Sequence, residues 1–521
     1  MDFSFSEEQL AIRAAIERIC ARFDLDYWLK KDTDGGFPLD FHEALASDGW
    51  LGIAMPEEYG GAGLGITEAA LMMQTIAQAG GGMSAASAVH MNIFGLNPVV
   101  VFGSDEQKRR FLPPLIAGHD KACFCVTEPD AGLNTTKLKT RAERSGDHYV
   151  VSGQKIWIST AQVTNKMLLL ARTTPFEAVS KPTQGLSLFY TDVDRRYVEA
   201  REIPKMGRKA VDSNQVFFDG LKVPVEDRIG EEGKGFDYIL HGLNPERILV
   251  AAEAVGLGRA ALARAASYAQ ERIVFDRPIG QNQAIQHPLA QRWMELEAAD
   301  LMTFKAATLY DAGKACGTEA NAAKYLAGEA GYRACETAVM THGGMGYAKE
   351  YHVERFLRES LIPRIAPVSP QLILCYIAER VLLAAEAIGL GRVALKRAAT
   401  YAKERIVFDR PIGMNQGIQH PLARCWVELE AAALLVQRAA WLYDQGRPCG
   451  AEANAAKYFA AEAGFRACET AVLTHGGMGY AKEYHVERWL REAMLPRIAP
   501  ITPHLILSFI AEKVLGLPKS Y

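Results

Sequence analysis

The chain has 521 residues, 49% of them hydrophobic and 23% charged, with a formal net charge of −3. That is ordinary globular composition with room for several domains. The balanced charge gives no footing for nucleic acid or an anionic membrane, and no apolar run reaches the roughly 18–20 residues of a membrane span.

The start, Met1-Asp-Phe-Ser-Phe-Ser-Glu-Glu8, lacks the basic and apolar regions of a secretion signal. Residues 1–120 read as helical. Leu10, Ile12, Ala15, Ile16 and Ile19 recur at helical spacing, as do Ala69, Met72 and Ile76. Gly61-Ala-Gly-Leu-Gly65 follows a segment that is no hydrophobic strand, so it predicts a tight surface turn rather than a dinucleotide loop. Residues 121–228 change character. Segment 149–158 reads as strand, turn at Ser152-Gly153, strand; 167–171, 186–190 and 216–218 add further β segments. From about 232 onward the pattern is helical and rich in Ala, Glu and Arg. Strands and helices do not alternate, which argues against a doubly wound sheet. Nine cysteines are too sparse for a disulfide framework, and Cys123-x-Cys125 is poor metal spacing. The thiols read as reduced and mostly buried, in a cytoplasmic compartment. No His/Cys/Asp set has ligand spacing, so no metal is expected, and no nucleophile motif is present.

The strongest feature is an internal repeat. Glu271-Arg-Ile-Val-Phe-Asp-Arg-Pro-Ile-Gly280 returns unchanged at 404–413, and Thr341-His-Gly-Gly-Met-Gly-Tyr347 at 474–480. Laying 247–379 on 380–512 gives about 98 identities in 133 positions without a gap. The period is too long for a short-repeat solenoid, so this is a duplicated domain. Removing one copy leaves a chain of 388 residues. A recombination without functional gain is the bland alternative.

Four motifs occur in order: Cys123-Phe-Cys-Val-Thr-Glu-Pro-Asp-Ala-Gly132, Gly153-Gln-Lys-Ile-Trp-Ile-Ser159, Arg272-Ile-Val-Phe275 and Gly343-Gly-Met-Gly-Tyr347. In this order and spacing the chain resembles the acyl-CoA dehydrogenase family of flavoenzymes, over residues 1–379 and again over the second copy. The resemblance implies an α+β architecture: an N-terminal helical domain (1–120), a middle β-barrel-like domain (121–230) and a C-terminal four-helix bundle present twice (231–379 and 380–521). It implies FAD between the middle and C-terminal domains.

The family removes a proton from the acyl α-carbon while the flavin takes a hydride from the β-carbon. Residue by residue, Phe124, Val126 and Thr127 match the strand along the flavin. Trp157, Ile158 and Ser159 match the segment that covers it. Arg272, Phe275, Asn282, Gln283, Gly343 and Gly344 match contacts to the diphosphate and adenine of a neighbouring subunit's FAD, and Ser369 a further contact. Arg suits a diphosphate because its fork is planar and permanently charged, and glycines let the backbone approach phosphate. Arg405, Phe408, Gln416, Gly476 and Gly477 repeat these positions in copy two. Leu133, Asn244 and Arg247 match the substrate side.

The commoner site of the catalytic Glu is occupied by Pro367, and in copy two by Pro500. A minority of the family places the Glu earlier, immediately before an Arg; here that is Glu246-Arg247, making Glu246 the candidate base. Desolvation of such a Glu raises its pKa toward the operating range. Read from the residues alone, Asn244-Pro245-Glu246 is also a good helix start, and Glu246 a first-turn Glu favoured by the helix dipole. Leu133 stands where relatives often have Ser, and Met340 (Leu473 in copy two) where a Gln is expected. Glu379 repeats the base position without an attached β domain and is expected to be idle.

The implied function is dehydrogenation of an acyl-CoA to the trans-2-enoyl-CoA, as in fatty-acid β-oxidation, with electrons passed to an electron-transfer flavoprotein. The alternatives are a same-fold oxidase or monooxygenase, or a catalytically silent FAD-binding assembly protein. Because bundles of relatives pack together and share FAD contacts, the second copy predicts a homo-oligomer, a dimer being favoured.

Overall fold

A computed structural model describes residues 4–93, 96–132, 134–368, 381–444, 449–499, 502–504, 506–507 and 510. The chain divides into two compact units, residues 1–373 and 374–521.

In the first unit the helical N-terminal region forms as its apolar stripes predict. Helix α1 (Glu7–Cys20) opens on a capping box, Ser6 Oγ accepting from the Gln9 N–H while Gln9 reaches back to Ser6, and buries Ile12, Ile16 and Ile19. Short helices α2 (Leu25–Asp34) and α3 (Leu39–Ser47) follow. Helix α4 (Ile66–Ile76) is buried on nearly every side, as its all-round hydrophobicity requires. The tight turn expected at Gly61 to Gly65 is not formed: the segment is a surface loop whose Ala62, Gly63 and Leu64 N–H groups donate back to the carbonyls of Gly52, Met55 and Ile53, so its hydrogen bonds are made to the preceding segment and not within a turn of its own. The N-terminus of α4 is filled by the protein's own carboxylate: Asp311 accepts from the N–H groups of Ile66 (2.8 Å) and Thr67 (2.9 Å). Helices α5 (Gly82–Ile93), α6 (Asn97–Phe102) and α7 (Asp105–Ile116) complete the region.

The middle region is one eight-stranded sheet: β1 (Ala122–Cys125), β2 (Arg141–Ser145), β3 (His148–Ser159), β4 (Lys166–Arg172), β5 (Leu186–Asp192), β6 (Val198–Glu202), β7 (Ser213–Pro224) and β8 (Arg228–Ile229). The strands run in the order β6-β7-β3-β2-β4-β5-β8, with β1 added in parallel to β4. The sheet is open, not a closed barrel: the end strands β6 and β8 do not pair. Both residues of β8 pair with β5 (Leu188 with Ile229, Phe189 with Arg228), and the path ends there. The expected turn at Ser152-Gly153 is absent too. Residues 148–159 are one continuous strand with a register shift at Val151/Ser152. A Cβ on Gly153 would lie 2.7 Å from the Thr140 backbone, so glycine marks a bulge and a close approach here.

The helical region that follows has three long helices among the described residues, α8 (Gly235–Glu271), α9 (Gln283–Asp311) and α10 (Gly317–His342), then α11 (Val353–Glu359) and α12 (Ile362–Ile365). Helices α8 and α10 meet through small residues: a Cβ on Gly258 would sit 3.0 Å from Gly331 Cα. The second unit repeats this architecture with helices Val381–Glu404, Gln416–Asp444 and Gly450–His475. Its contact is the same: a Cβ on Gly391 would sit 3.0 Å from Gly464 Cα. All eight described cysteines are free thiols, and all but Cys449 are buried. Among the described residues no helix is long and apolar enough to cross a membrane.

Candidate active site

Helix α8 settles the context of Glu246. The helix starts at Gly235 and runs through Pro245, so Glu246 sits about three turns inside it and not in a first turn. The helix-start alternative is therefore removed. A proline ring inside a helix leaves the carbonyl four residues back without its partner. Burial of Pro245, Ile248, Leu249, Ala251 and Ala252 overrides that penalty.

The Glu246 carboxylate oxygen Oε2 is buried and accepts no hydrogen bond. Burial pushes its pKa up to about 7; Glu253 adds to this, while the charges of His90, Arg247 and Lys324 oppose it. Arg247 Nη1 donates to Asn244 Oδ1 at 3.1 Å on the same face of the helix. Lys324 on α10 donates to the carbonyls of Arg364 (3.2 Å) and Val368, and burial lowers its pKa to about 8. Two turns beyond Glu246, Glu253 meets His90 of α5, Oε1 to Nδ1, at 2.5 Å. Burial alone would lower the His90 pKa; the Glu253 carboxylate outweighs it and holds it above the usual value.

A second group lies on the sheet. The Thr127 carbonyl accepts from the Ile156 N–H at 2.9 Å, joining the two motifs the sequence singled out. Beneath them, buried Lys155 donates to the Val126 carbonyl (3.0 Å) and to Glu128 Oε1 (2.9 Å), and Glu128 also takes the N–H groups of Lys139 and Thr140. Phe124 and Thr127 are half-buried, and Val126 and Ile158 buried. Trp157 has a left-handed backbone (φ 62) and 57% of its surface exposed. A large aromatic exposed at a strained position is what a planar ligand would cover. Ser159 Oγ accepts from Arg208 Nη2 at 2.9 Å.

A third group lies at the far ends of the long helices. The hairpin Ile273–Val274 / Arg277–Pro278 turns on Phe275 and Asp276, both at positive φ, and leaves Phe275 93% exposed and Arg272 exposed. Arg277 donates to Asn282 Oδ1 at 2.7 Å, next to Gln283 at the start of α9. Gly343 (φ 60) and Gly344 leave open space where a Cβ would stand. No hydrogen bond or ion pair among the described residues links this third group to Thr127, Trp157 or Ser159. The second unit reproduces it: Phe408 is 92% exposed at φ 51, Arg410 donates to Asn415 at 2.7 Å, and Gly476 and Gly477 are open. Arg405 is exposed and Gln416 begins the next helix. Leu133, Ser369, Glu379 and Pro500 lie outside the described residues.

The described site thus brings together Glu246, Asn244 and Arg247, and separately Thr127, Ile156 and Ser159. Sequence reasoning missed His90, Glu253, Lys324 and Arg208. None carries a local signal: each is a lone charged residue whose neighbours come from other elements.

Comparison with known proteins decides the family. Its N-terminal domain model matches residues 6–119, its middle domain model 123–221, and its C-terminal domain model matches twice, 233–367 and 377–515. The chain belongs to the acyl-CoA dehydrogenase family. It is therefore an oxidoreductase acting on CH–CH groups, with FAD as its cofactor. The acyl-CoA dehydrogenase fadE12 of Mycobacterium bovis is 37% identical over 392 residues, 73% of this chain and 97% of that one. The caffeyl-CoA reductase-Etf complex subunit CarC of Acetobacterium woodii is 34% identical over 358 residues, 68% of this chain and 93% of its own. The butyryl-CoA dehydrogenase structure from Megasphaera elsdenii superposes with a TM-score of 0.69 at 30% identity, covering 72% of this chain and 98% of that one. This acyl-CoA dehydrogenase family member differs from them in length by about one bundle.

The residues present fit FAD. An exposed indole, a half-buried Phe124, the open Gly343-Gly344 turn and exposed Arg272 supply an apolar platform and a phosphate-compatible end.

Proposed function

We propose that the protein removes two hydrogens from an acyl-CoA thioester to give the trans-2-enoyl-CoA, and passes the electrons to an electron-transfer flavoprotein. The observation that carries this reading is the buried, unpartnered Oε2 of Glu246 with its pKa near 7. A carboxylate so placed takes the α-proton readily at neutral pH, because its own ionised form is already poorly solvated. Glu246 Oε2 forms the new O–H bond, and Arg247, held by Asn244, orders the thioester side. FAD, when bound, would supply the acceptor for the β-hydride. Phe124, Val126, Thr127, Trp157, Ile158 and Ser159 hold the flavin end. Arg272, Phe275, Asn282, Gln283, Gly343 and Gly344, or their counterparts Arg405, Phe408, Gln416, Gly476 and Gly477, hold the diphosphate and adenine of a neighbouring FAD.

The duplication supports a dimer that presents four bundles. Both copies expose large side chains at corresponding positions: Trp293 and Trp426, Leu301 and Leu434, Met340 and Leu473, Tyr347 and Tyr480. Light scattering at dimer mass supports this, and a compact tetramer refutes it.

The test of the chemistry is an anaerobic titration of the flavoprotein with a panel of acyl-CoAs, following the oxidised-flavin band. Bleaching by one chain class, abolished in E246Q, is the expected outcome. Retained FAD with no bleaching by any acyl-CoA overturns the reading. The CarC likeness motivates adding enoyl-CoAs to the chemically reduced protein, since the same groups run the reaction backwards, with protonated Glu246 as donor.

A further inference from the structure

The loop between β6 and β7 carries a charged side chain that the chemistry above does not use. Arg208 has a left-handed backbone (φ 56). Its loop is held from several sides: Lys205 Nζ donates to the Val211 carbonyl at 2.6 Å, and Arg358 Nη1 to the Met206 carbonyl at 2.9 Å. The guanidinium is therefore fixed before any ligand arrives. It spreads over three hydroxyls from three elements: Nη1 to Ser87 Oγ on α5 (3.0 Å), and Nη2 to Ser159 Oγ at the end of β3 (2.9 Å) and Ser213 Oγ at the start of β7 (3.2 Å).

Among the described residues no carboxylate forms an ion pair with it, and its Nε is buried without a partner. Glu359, Glu253 and Asp212 act on it only through longer-range attraction. Guanidinium groups this enclosed are usually paired with a carboxylate. A set of neutral hydroxyls is the weaker choice for stability, and such local departures concentrate at functional sites.

Donor counting shows what the arrangement does. A guanidinium only donates, so the Ser159 oxygen must accept, and its one proton is left to donate elsewhere. Among the described residues no acceptor takes that proton. We propose that Arg208 is a positioning residue: by occupying an acceptor site of the Ser159 oxygen it turns the hydroxyl proton toward bound FAD and so raises the two-electron reduction potential of the flavin. A fixed donor gains most against a ring that gains electron density on reduction. The inference rests on reading Ser159 as a flavin contact.

The test measures the midpoint potential of bound FAD in the wild type, R208M, R208K, S159A and the R208M/S159A double variant, with FAD binding to each apoprotein alongside. R208M and S159A are each expected to weaken reduced relative to oxidised flavin tenfold or more, about 30 mV for a two-electron couple. The double variant falls no lower than S159A, and R208K stays within about threefold of wild type. A wild-type potential in R208M overturns the proposal. So does an equal drop from R208M in the S159A background, which would make the charge alone the agent. Where R208M does not fold, a wild-type potential in S159A or a lowered one in R208K overturns it. Failure of the wild type itself to bind FAD refutes the placement of the cofactor instead.

Discussion

Replacing Glu246 by Gln should destroy activity and stabilise the protein above neutral pH. The carboxyl's pKa is raised from 4.5 to about 7 by burial. The folded state therefore binds the proton more tightly than the unfolded state, and stability falls as pH rises from about 4.5 through about 7. A shift of about 2.5 units corresponds to about 3.4 kcal/mol once both states are ionised. At pH 5 less than 1 kcal/mol of that penalty has appeared, so about 2–3 kcal/mol separates pH 5 from pH 8.5. Gln keeps the shape and has no charge to desolvate. The attractions to His90, Arg247 and Lys324 are already contained in the net shift. Unfolding entropy of about 2.1 cal/mol/K per residue over a unit of this size makes the expected gain about 4 °C in midpoint at pH 8.5. The assay compares thermal and urea unfolding of wild type and E246Q holoprotein at both pH values. An E246Q protein that is no more stable than wild type at pH 8.5, or whose advantage is the same at pH 5, refutes the claim that Glu246 is held desolvated.

Three further outcomes follow from the geometry. Lys155→Met leaves Glu128 buried beside an apolar chain and should cost about 3 kcal/mol in urea unfolding, because breaking one side of a buried pair strands the other. Asp311→Ala removes the carboxylate that accepts from the Ile66 and Thr67 N–H groups and the Thr67 hydroxyl; a loss of about 2 kcal/mol is expected, and Asp311→Asn should recover part of it. Gly258→Ala places a methyl 2.6 Å from Leu296 and 3.0 Å from Gly331 Cα and should cost about 1–3 kcal/mol, whereas Gly344→Ala enters open space and should leave the unfolding midpoint unchanged.

Much was legible from residues in order. The repeat is a matter of letter identity, and both copies fold alike because 98 of 133 positions agree. The buried stripe of α1 and the strand segments follow from local periodicity. The motif order led to the family, and the family models agree with it. Local rules failed where two signals competed. Pro245 reads as a helix start, yet a 37-residue helix passes through it, since apolar burial on both sides outweighs one lost hydrogen bond. Ser152-Gly153 reads as a turn, yet the strand continues, since the glycine serves a bulge against Thr140. A barrel-like closure was expected, but β8 pairs with β5 and not with β6, so the sheet stays open.

What the sequence by itself determined is the order of domains and their duplication, because each depends on motifs within a few residues or on a copied stretch. What only the tertiary structure decided is the electrostatic setting of the site. His90 meets Glu253 from 163 residues away, Ser87 meets Arg208 from 121, and the orphaned oxygen of Glu246 exists only once water has been excluded around it. Charge interactions depend on distance and dielectric in three dimensions, and neither is written in the spacing of residues along the chain.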